Sequence, residues 1–161
     1  MGEANVADLV LKRIWQGSVE ALLDPDLMRQ VDAVISIVKP KHLASFHLSI
    51  HHLVIPVRDG DDTIFEWFDI AFDFMERALK EGKTLLIHCM AGRSRSSTIL
   101  IGYMLTKLEF VSYDQALAAL HAVRPSIALM PSYEKRLREL ADSASINTAN
   151  LNSCVSEHIK C

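Results

Sequence analysis

The chain has little of what marks a secreted, membrane-spanning or nucleic-acid-binding protein. Cysteine is scarce: Cys89, Cys154 and Cys161 are the three in 161 residues, and their spacing forms no disulfide framework. The N-terminus lacks the basic segment and apolar stretch of a secretory leader, and no apolar run approaches the roughly 20 residues that cross a bilayer. Lysine and arginine are not gathered into runs and the net charge is −3, which gives no footprint for nucleic acid or a membrane surface. Lipid anchors are disfavoured as well. Met1-Gly2 is followed by Val6 where myristoylation wants a hydroxyl, and nothing follows Cys161 to complete a prenylation box. The expectation is a reducing setting, the cytoplasm with the nucleus as a second compartment, with no nucleic-acid partner and no membrane anchor.

What is present is apolar content. Half the residues are hydrophobic, enough in this length for one domain with a sizeable core. Ala33 to Val38, Leu53 to Val57 and Thr84 to His88 are short, continuous, β-branched or aliphatic runs, and Leu9 to Trp15 adds another at an edge. Continuous runs suit strands covered on both faces. The segments between them carry helical spacing, as with Phe68, Phe72, Met75 and Leu79 ahead of Gly82, so the fold class is α/β: a central, mostly parallel sheet of four to five strands flanked by helices. Ser112 with Gln115 forms a capping-box start, and Pro131 opens a last helix through Tyr133, Leu137 and Leu140. From Ser143 the chain turns Ser-, Asn- and Thr-rich with little periodicity, so residues 1–142 are read as the domain and 143–161 as a flexible polar tail.

The chemistry concentrates in His88-Cys89-Met90-Ala91-Gly92-Arg93-Ser94-Arg95-Ser96, between the third of these strands and a helix starting near Ser94. Such a junction aims backbone N–H groups and the positive end of a helix at one small volume, which suits a phosphate. Gly92 lets the loop bend around an anion. The helix end and Arg95 together favour the anionic, nucleophilic form of the Cys89 thiol. Arg95, six residues on, can turn its planar fork over the loop and hold two phosphate oxygens.

The stretch His88-Cys89-x-x-Gly92-x-Ser94-Arg95-Ser96 resembles the signature of the dual-specificity phosphatases within the cysteine-based protein tyrosine phosphatase superfamily. The resemblance spans about Leu9 to Leu140: Ile14-Trp15-Gln16-Gly17-Ser18 is similar to the family's first strand and turn, Ile55-Pro56-Val57 to the approach to its acid loop, and Arg124-Pro125-Ser126 to a recurring later stretch. The resemblance implies a protein tyrosine phosphatase-like fold and a protein-tyrosine/serine/threonine phosphatase. Cys89 would attack phosphorus to form a phosphocysteine, while Arg95 and the amides of Met90, Ala91, Gly92, Arg93, Ser94 and Arg95 hold the phosphate oxygens. It implies Ser96 as the hydroxyl that stabilises the departing thiolate and His88 as the residue orienting the loop, although either could instead be a local capping or core residue. Asp59 follows the Ile-Pro-x-x pattern and is the candidate general acid, with Asp61 and Asp62 in the same loop.

The expected substrate is a phosphorylated protein, MAP kinases among the candidates, on a shallow site that admits phosphotyrosine, phosphoserine and phosphothreonine. Arg93 keeps open a lipid phosphatase acting on phosphoinositides or phosphatidylglycerophosphate, because it adds a second cation. A third alternative is a phosphate-binding pseudophosphatase: after Ile127, Leu129-Met130 and Ser132-Tyr133 stand where the family has Pro-Asn and Gly-Phe, which puts support of the loop from that side in question. No cofactor or metal is expected, since the chemistry needs none and His42, His47, His51 and His52 match no zinc spacing. Trp67, Phe68, Phe72 and Phe74 are assigned to core packing, and a Cys89–Cys154 disulfide is unconstrained by the sequence.

Overall fold

A computed structural model describes residues 5–46 and 48–157, with the backbone alone from 147 to 157. Five strands, β1 (Ala7–Leu11), β2 (Ile14–Gly17), β3 (Ala33–Ser36), β4 (His51–Val54) and β5 (Leu85–His88), form one sheet in the order β1-β2-β5-β3-β4. Only β1 and β2 pair antiparallel; β5 lies parallel between β2 and β3, and β3 parallel to β4. The apolar run Leu9 to Trp15, expected as one edge strand, is the core of a hairpin. The chain reverses at Lys12-Arg13, with Arg13 in the left-handed region at φ 62.

The continuous apolar runs have a two-sided cause. Ala33, Ile35, Leu85 and Ile87 point into the larger hydrophobic cluster, while Val34 and Leu86 point into a smaller one with Ala21, Leu22, Leu27 and Val31. The smaller cluster is roofed by a 3-10 turn (Val19–Leu23) and the one-turn helix α1 (Pro25–Met28), whose N-terminal amides are capped by Asp24. On the other face lie α2 (Phe68–Lys80), α3 (Arg95–Lys107), α4 (Tyr113–Val123) and α5 (Pro131–Glu157). Helix α2 buries Phe68, Ala71, Phe72, Met75 and Ala78, spaced three or four apart, and closes with Lys83 N–H donating to Ala78 O at 2.9 Å. Trp67 and Phe74 pack at the margin of the same core. Helix α4 starts at Ser112, whose Oγ accepts from Gln115 N, but Gln115 reaches back to Val111 N, one residue before the expected box.

The expected break at Ser143 is corrected by the structure: α5 runs on to Glu157. Serine need not end a helix when its hydroxyl bonds into it, and Ser143 and Ser145 donate to Glu139 O and Ala141 O, both at 3.0 Å. The alanines of this stretch favour the helix. The side chains of 147–157, Cys154 included, and the residues His47 and Cys161 lie outside what is described. Among the described residues no helix is long and apolar enough to cross a membrane.

Helix α3 is the spine. Every residue from Ser96 to Leu105 is buried, because the sheet lies on one side and α2, α4 and α5 crowd the others. Gly102 is the contact with α2: a Cβ there would stand 2.4 Å from Cε2 of Phe68. Two effects therefore oppose each other in Gly102→Ala, a gain of about 1 kcal/mol in helix propensity and an overpacking cost of about 1–3 kcal/mol. So close an approach to a buried ring makes the overpacking cost prevail. Gly102→Ala is expected to lower unfolding stability in urea by about 1–2 kcal/mol, and an increase would show that Phe68 moves aside freely.

Candidate active site

The loop between β5 and α3 lies beyond the carboxyl ends of the parallel strands, where open α/β sheets hold ligands. Its carbonyls are pinned. His88 O accepts from Ile37 N, Met90 O from Val19 N, Arg93 O from Ala128 N, and Ser94 O from Thr98 N. Cys89 O accepts from His88 Nδ1 at 3.1 Å and Gly92 O from Arg124 Nε at 2.9 Å. Its amides are not pinned: from Met90 to Arg95, no backbone N–H donates to a carbonyl or side chain among the described residues. Ser94, at the N-cap position of α3, does not cap it. A run of uncommitted amides at the start of a thirteen-residue helix is an anion cradle. The tight bend depends on Gly92, with φ 66 and packed so closely on β2 that a Cβ would stand 2.5 Å from the carbonyl carbon of Gly17.

Cys89, 2% exposed, lies on the wall of a cleft of about 360 Å³ shared with Asp59, Arg93, Ser94, Arg95 and Ala128. Its Sγ is 3.4 Å from Ser96 Oγ. Buried Gln16 decides which of those atoms donates. Ser97 gives its one proton to Arg93 O, so it must accept from Gln16, whose NH₂ lies 2.7 Å from Ser97 Oγ and 3.0 Å from Ser96 Oγ. Ser96 thus also accepts from Gln16 and keeps its proton for the sulfur.

Arg95 donates from Nη1 to Val57 O, while its Nε is buried with no acceptor among the described residues. Asp59 Oδ1 accepts from Ser94 Oγ at 2.7 Å, which in turn accepts from Met130 N at 3.1 Å. The three candidate acids separate here. Only Asp59 lines the cleft with Cys89. Asp61 instead caps the 3-10 turn Asp62–Trp67, accepting from Thr63 Oγ1 and N, and these bonds hold its carboxyl below the usual range. Asp62 is drawn into that turn. The segment with unfamiliar residues after Ile127 does support the loop, through Ala128 N to Arg93 O and Met130 N to Ser94 Oγ, while the buried hydroxyl of Tyr133 lies 3.1 Å from Arg58 O and 3.2 Å from Asp61 O and so holds the neighbouring Asp59 loop. Arg93 turns its Nε to Ser126 O at 2.9 Å. Among the described residues no three His, Cys, Asp or Glu side chains group as metal ligands.

Several functional partners escaped the reading of the sequence. Gln16 carries a weak signal, a polar residue inside an apolar strand run. Arg124, 2% exposed, lies in the Arg124-Pro125-Ser126 stretch that resembles the family, but nothing in the sequence gives its partners: besides Gly92 O it binds Asp8 Oδ2 at 2.6 Å and Asn5 O at 3.0 Å, across 116 and 119 residues.

The family model described as "Dual specificity phosphatase, catalytic domain" matches residues 14–143. The chain belongs to this family. It is 29% identical over 149 residues to dual specificity protein phosphatase 1 of Arabidopsis thaliana, covering 89% of this chain and 73% of the relative. It is 30% identical to human dual specificity protein phosphatase 16 over 80% of this chain but 21% of that protein, so this chain spans about a fifth of its length. Arabidopsis thaliana phosphatidylglycerophosphate phosphatase PTPMT2 is 32% identical, over 81% of this chain and 53% of that one. Among solved structures, human DUSP28 has the same fold at a TM-score of 0.78 and 20% identity, covering 89% of this chain and 97% of that chain.

Two outcomes follow for this dual specificity phosphatase domain. Removing one partner of the buried Arg124–Asp8 pair leaves a carboxylate 15% exposed and releases Gly92 O. Arg124→Met is expected to lower urea stability by about 3 kcal/mol and phosphatase turnover by about tenfold or more; unchanged turnover would show that the loop holds itself. His88 is fully buried, and burial pushes its ring from the ordinary 6.5 down to about 4. Between those values the unfolded chain binds a proton the folded one refuses. Stability from this residue is therefore complete above pH 6.5 and lost as pH falls towards 4, up to about 3 kcal/mol. Urea titrations at pH 7 and pH 4.5 should show that loss, and His88→Gln should flatten it.

Proposed function

We propose that this domain hydrolyses phosphotyrosine, phosphoserine and phosphothreonine in proteins through a phosphocysteine, and that phosphorylated MAP kinases are the substrates to test first. The observation that carries the chemistry is the pairing of uncommitted loop amides with Cys89, Asp59 and the free Nε of Arg95 on one cleft. The amides and Arg95 hold the non-bridging phosphate oxygens. Cys89 Sγ attacks phosphorus, the P–O ester bond breaks, and the departing oxygen takes a proton from Asp59. Ser94 donates to Oδ1 of Asp59, which leaves Oδ2 to carry that proton. In the second step the oxygen of a water attacks phosphorus as Asp59 takes that water's proton, and the S–P bond breaks with the departing Cys89 thiolate accepting a hydrogen bond from Ser96 Oγ–H. This supports an enzyme over a pseudophosphatase. We propose the cytoplasm and nucleus as its working compartments on the strength of its cysteine usage.

A protein substrate is supported by a second, wider cleft of about 650 Å³ that shares Asp59, Met90 and Arg95 with the first and carries Lys39, Lys41, His42 and Arg58. None of these four forms an ion pair among the described residues, so they suit acidic or phosphorylated side chains flanking the target. The second reading, hydrolysis of a phosphatidylglycerophosphate or phosphoinositide headgroup, draws on Arg93 at the rim and on the likeness to PTPMT2.

Cys89→Ser is expected to abolish turnover of a small aryl phosphate, and surviving turnover would reject the mechanism. Asp59→Asn should lower kcat by about 10²- to 10³-fold on phosphopeptides with KM little changed, and less on an aryl phosphate whose phenolate leaves unaided. The same loss from Asp62→Asn instead would reassign the acid. Rates on a phosphorylated kinase-loop peptide and on phosphatidylglycerophosphate, measured side by side, separate the two substrate readings.

A further inference from the structure

Three side chains on the adjacent strands β4, β3 and β5 form a polar ladder behind the phosphate loop: His52, Ser36 and His88. Ser36 Oγ lies 2.7 Å from His52 Nε2 and 2.6 Å from His88 Nε2. Ser36 and His88 are fully buried and directly paired in register, and His52 sits one pleat away on the same face.

The protons of this ladder can be placed one by one. A carbonyl oxygen only accepts, so His88 Nδ1, 3.1 Å from Cys89 O, carries a hydrogen. Burial keeps the His88 ring neutral at neutral pH, which leaves Nε2 a bare acceptor. Ser36 must give its single proton there, and so accepts from His52 Nε2–H. The ladder runs in one sense, His52 to Ser36 to His88 to the Cys89 carbonyl, each donor pointing towards the loop. Aligned bonds of this kind polarise one another. The charged and titratable groups facing the Cys89 end are Arg95, Asp59 and Arg93. At the other end, burial alone lowers His52 from its ordinary value, and its neighbours in a shallow groove are Leu43, Phe46 and Leu48.

We propose that His52 is a positioning residue for Cys89: through Ser36 it fixes the tautomer and orientation of His88, and through His88 the carbonyl that begins the phosphate loop. It touches no substrate. This rests on Cys89 being the nucleophile, and the test separates the two ideas. Two readouts are taken on the full chain: kcat and KM for a small aryl phosphate, and the rate at which iodoacetamide alkylates Cys89, followed by mass spectrometry of the peptide that contains it. His52→Phe fills the space without a donor and should lower both kcat and alkylation by about three- to tenfold, with KM within about twofold. His52→Gln keeps an N–H for Ser36 and should return both to within about twofold of the parent. Ser36→Ala should cost more than His52→Phe, because it leaves the buried Nε2 of His88 with no donor. His52→Phe that matches the parent in both readouts overturns the proposal, even where its melting temperature falls, and so does His52→Gln that falls as far as His52→Phe. Should the parent fail to turn over the aryl phosphate, the catalytic reading fails, and the alkylation rates alone decide the role of His52.

Discussion

Backbone amides that must be left free for a ligand cannot also hold the backbone in place. The loop from Cys89 to Ser94 meets that constraint by dividing its two sets of polar groups. Carbonyls at Cys89, Met90, Gly92, Arg93 and Ser94 accept bonds from the body of the domain, and the amides from Met90 to Arg95 accept no commitment. Each anchor comes from a different element: Val19 after β2, Ala128 before α5, Arg124 after α4, Thr98 within α3. The loop is thus shaped from outside and open on the inside, and the packing of the helices on the sheet becomes a condition of the site.

The heaviest demand falls on Gly92. Its close approach to Gly17 brings the loop against β2, and its carbonyl must then be satisfied in a buried place. A neutral donor would serve for the bond alone. Arg124 does more, since its remaining donors reach Asp8 and Asn5 and so tie the antiparallel edge of the sheet to the loop. Burying a guanidinium is costly unless a carboxylate accompanies it, and Asp8 is that carboxylate. The hairpin β1–β2, which contributes no group to the cleft, is in this way part of the machinery that shapes it.

Much of this was legible in the sequence because it is local. The strands before the loop, the glycine bend, and the sequence of Cys89, Arg95 and Ser96 are all set within a dozen residues, and α3 follows with the periodicity of a buried helix. Where the carboxylates of Asp59, Asp61 and Asp62 sit was not local in the same sense. It turns on which carboxylate caps the following 3-10 turn, and Thr63 settles that by binding Asp61. The roles of Arg124 and Gln16 were illegible for a plainer reason: a buried polar side chain is defined by its partner, and their partners lie between 32 and 119 residues away. The extension of α5 past Ser143 was not legible because the stretch is Ser-, Asn- and Thr-rich with little periodicity, while the hydroxyls of Ser143 and Ser145 turn back onto their own helix.

The loop of Asp59 and the loop of Cys89 still have to be placed relative to each other, and that task falls to Ser94. Its hydroxyl donates to Asp59 and accepts from Met130 N, so one side chain joins the two loops and the entry to α5. Tyr133, in the first turn of α5, holds the Asp59 loop again by its backbone at Arg58 and Asp61. A helix start that spends its capping serine on another loop leaves its own amides exposed. Those amides are the ones an anion would satisfy. The same hydroxyl that holds Asp59 therefore also keeps the cradle open, which couples the position of Asp59 to the availability of the site.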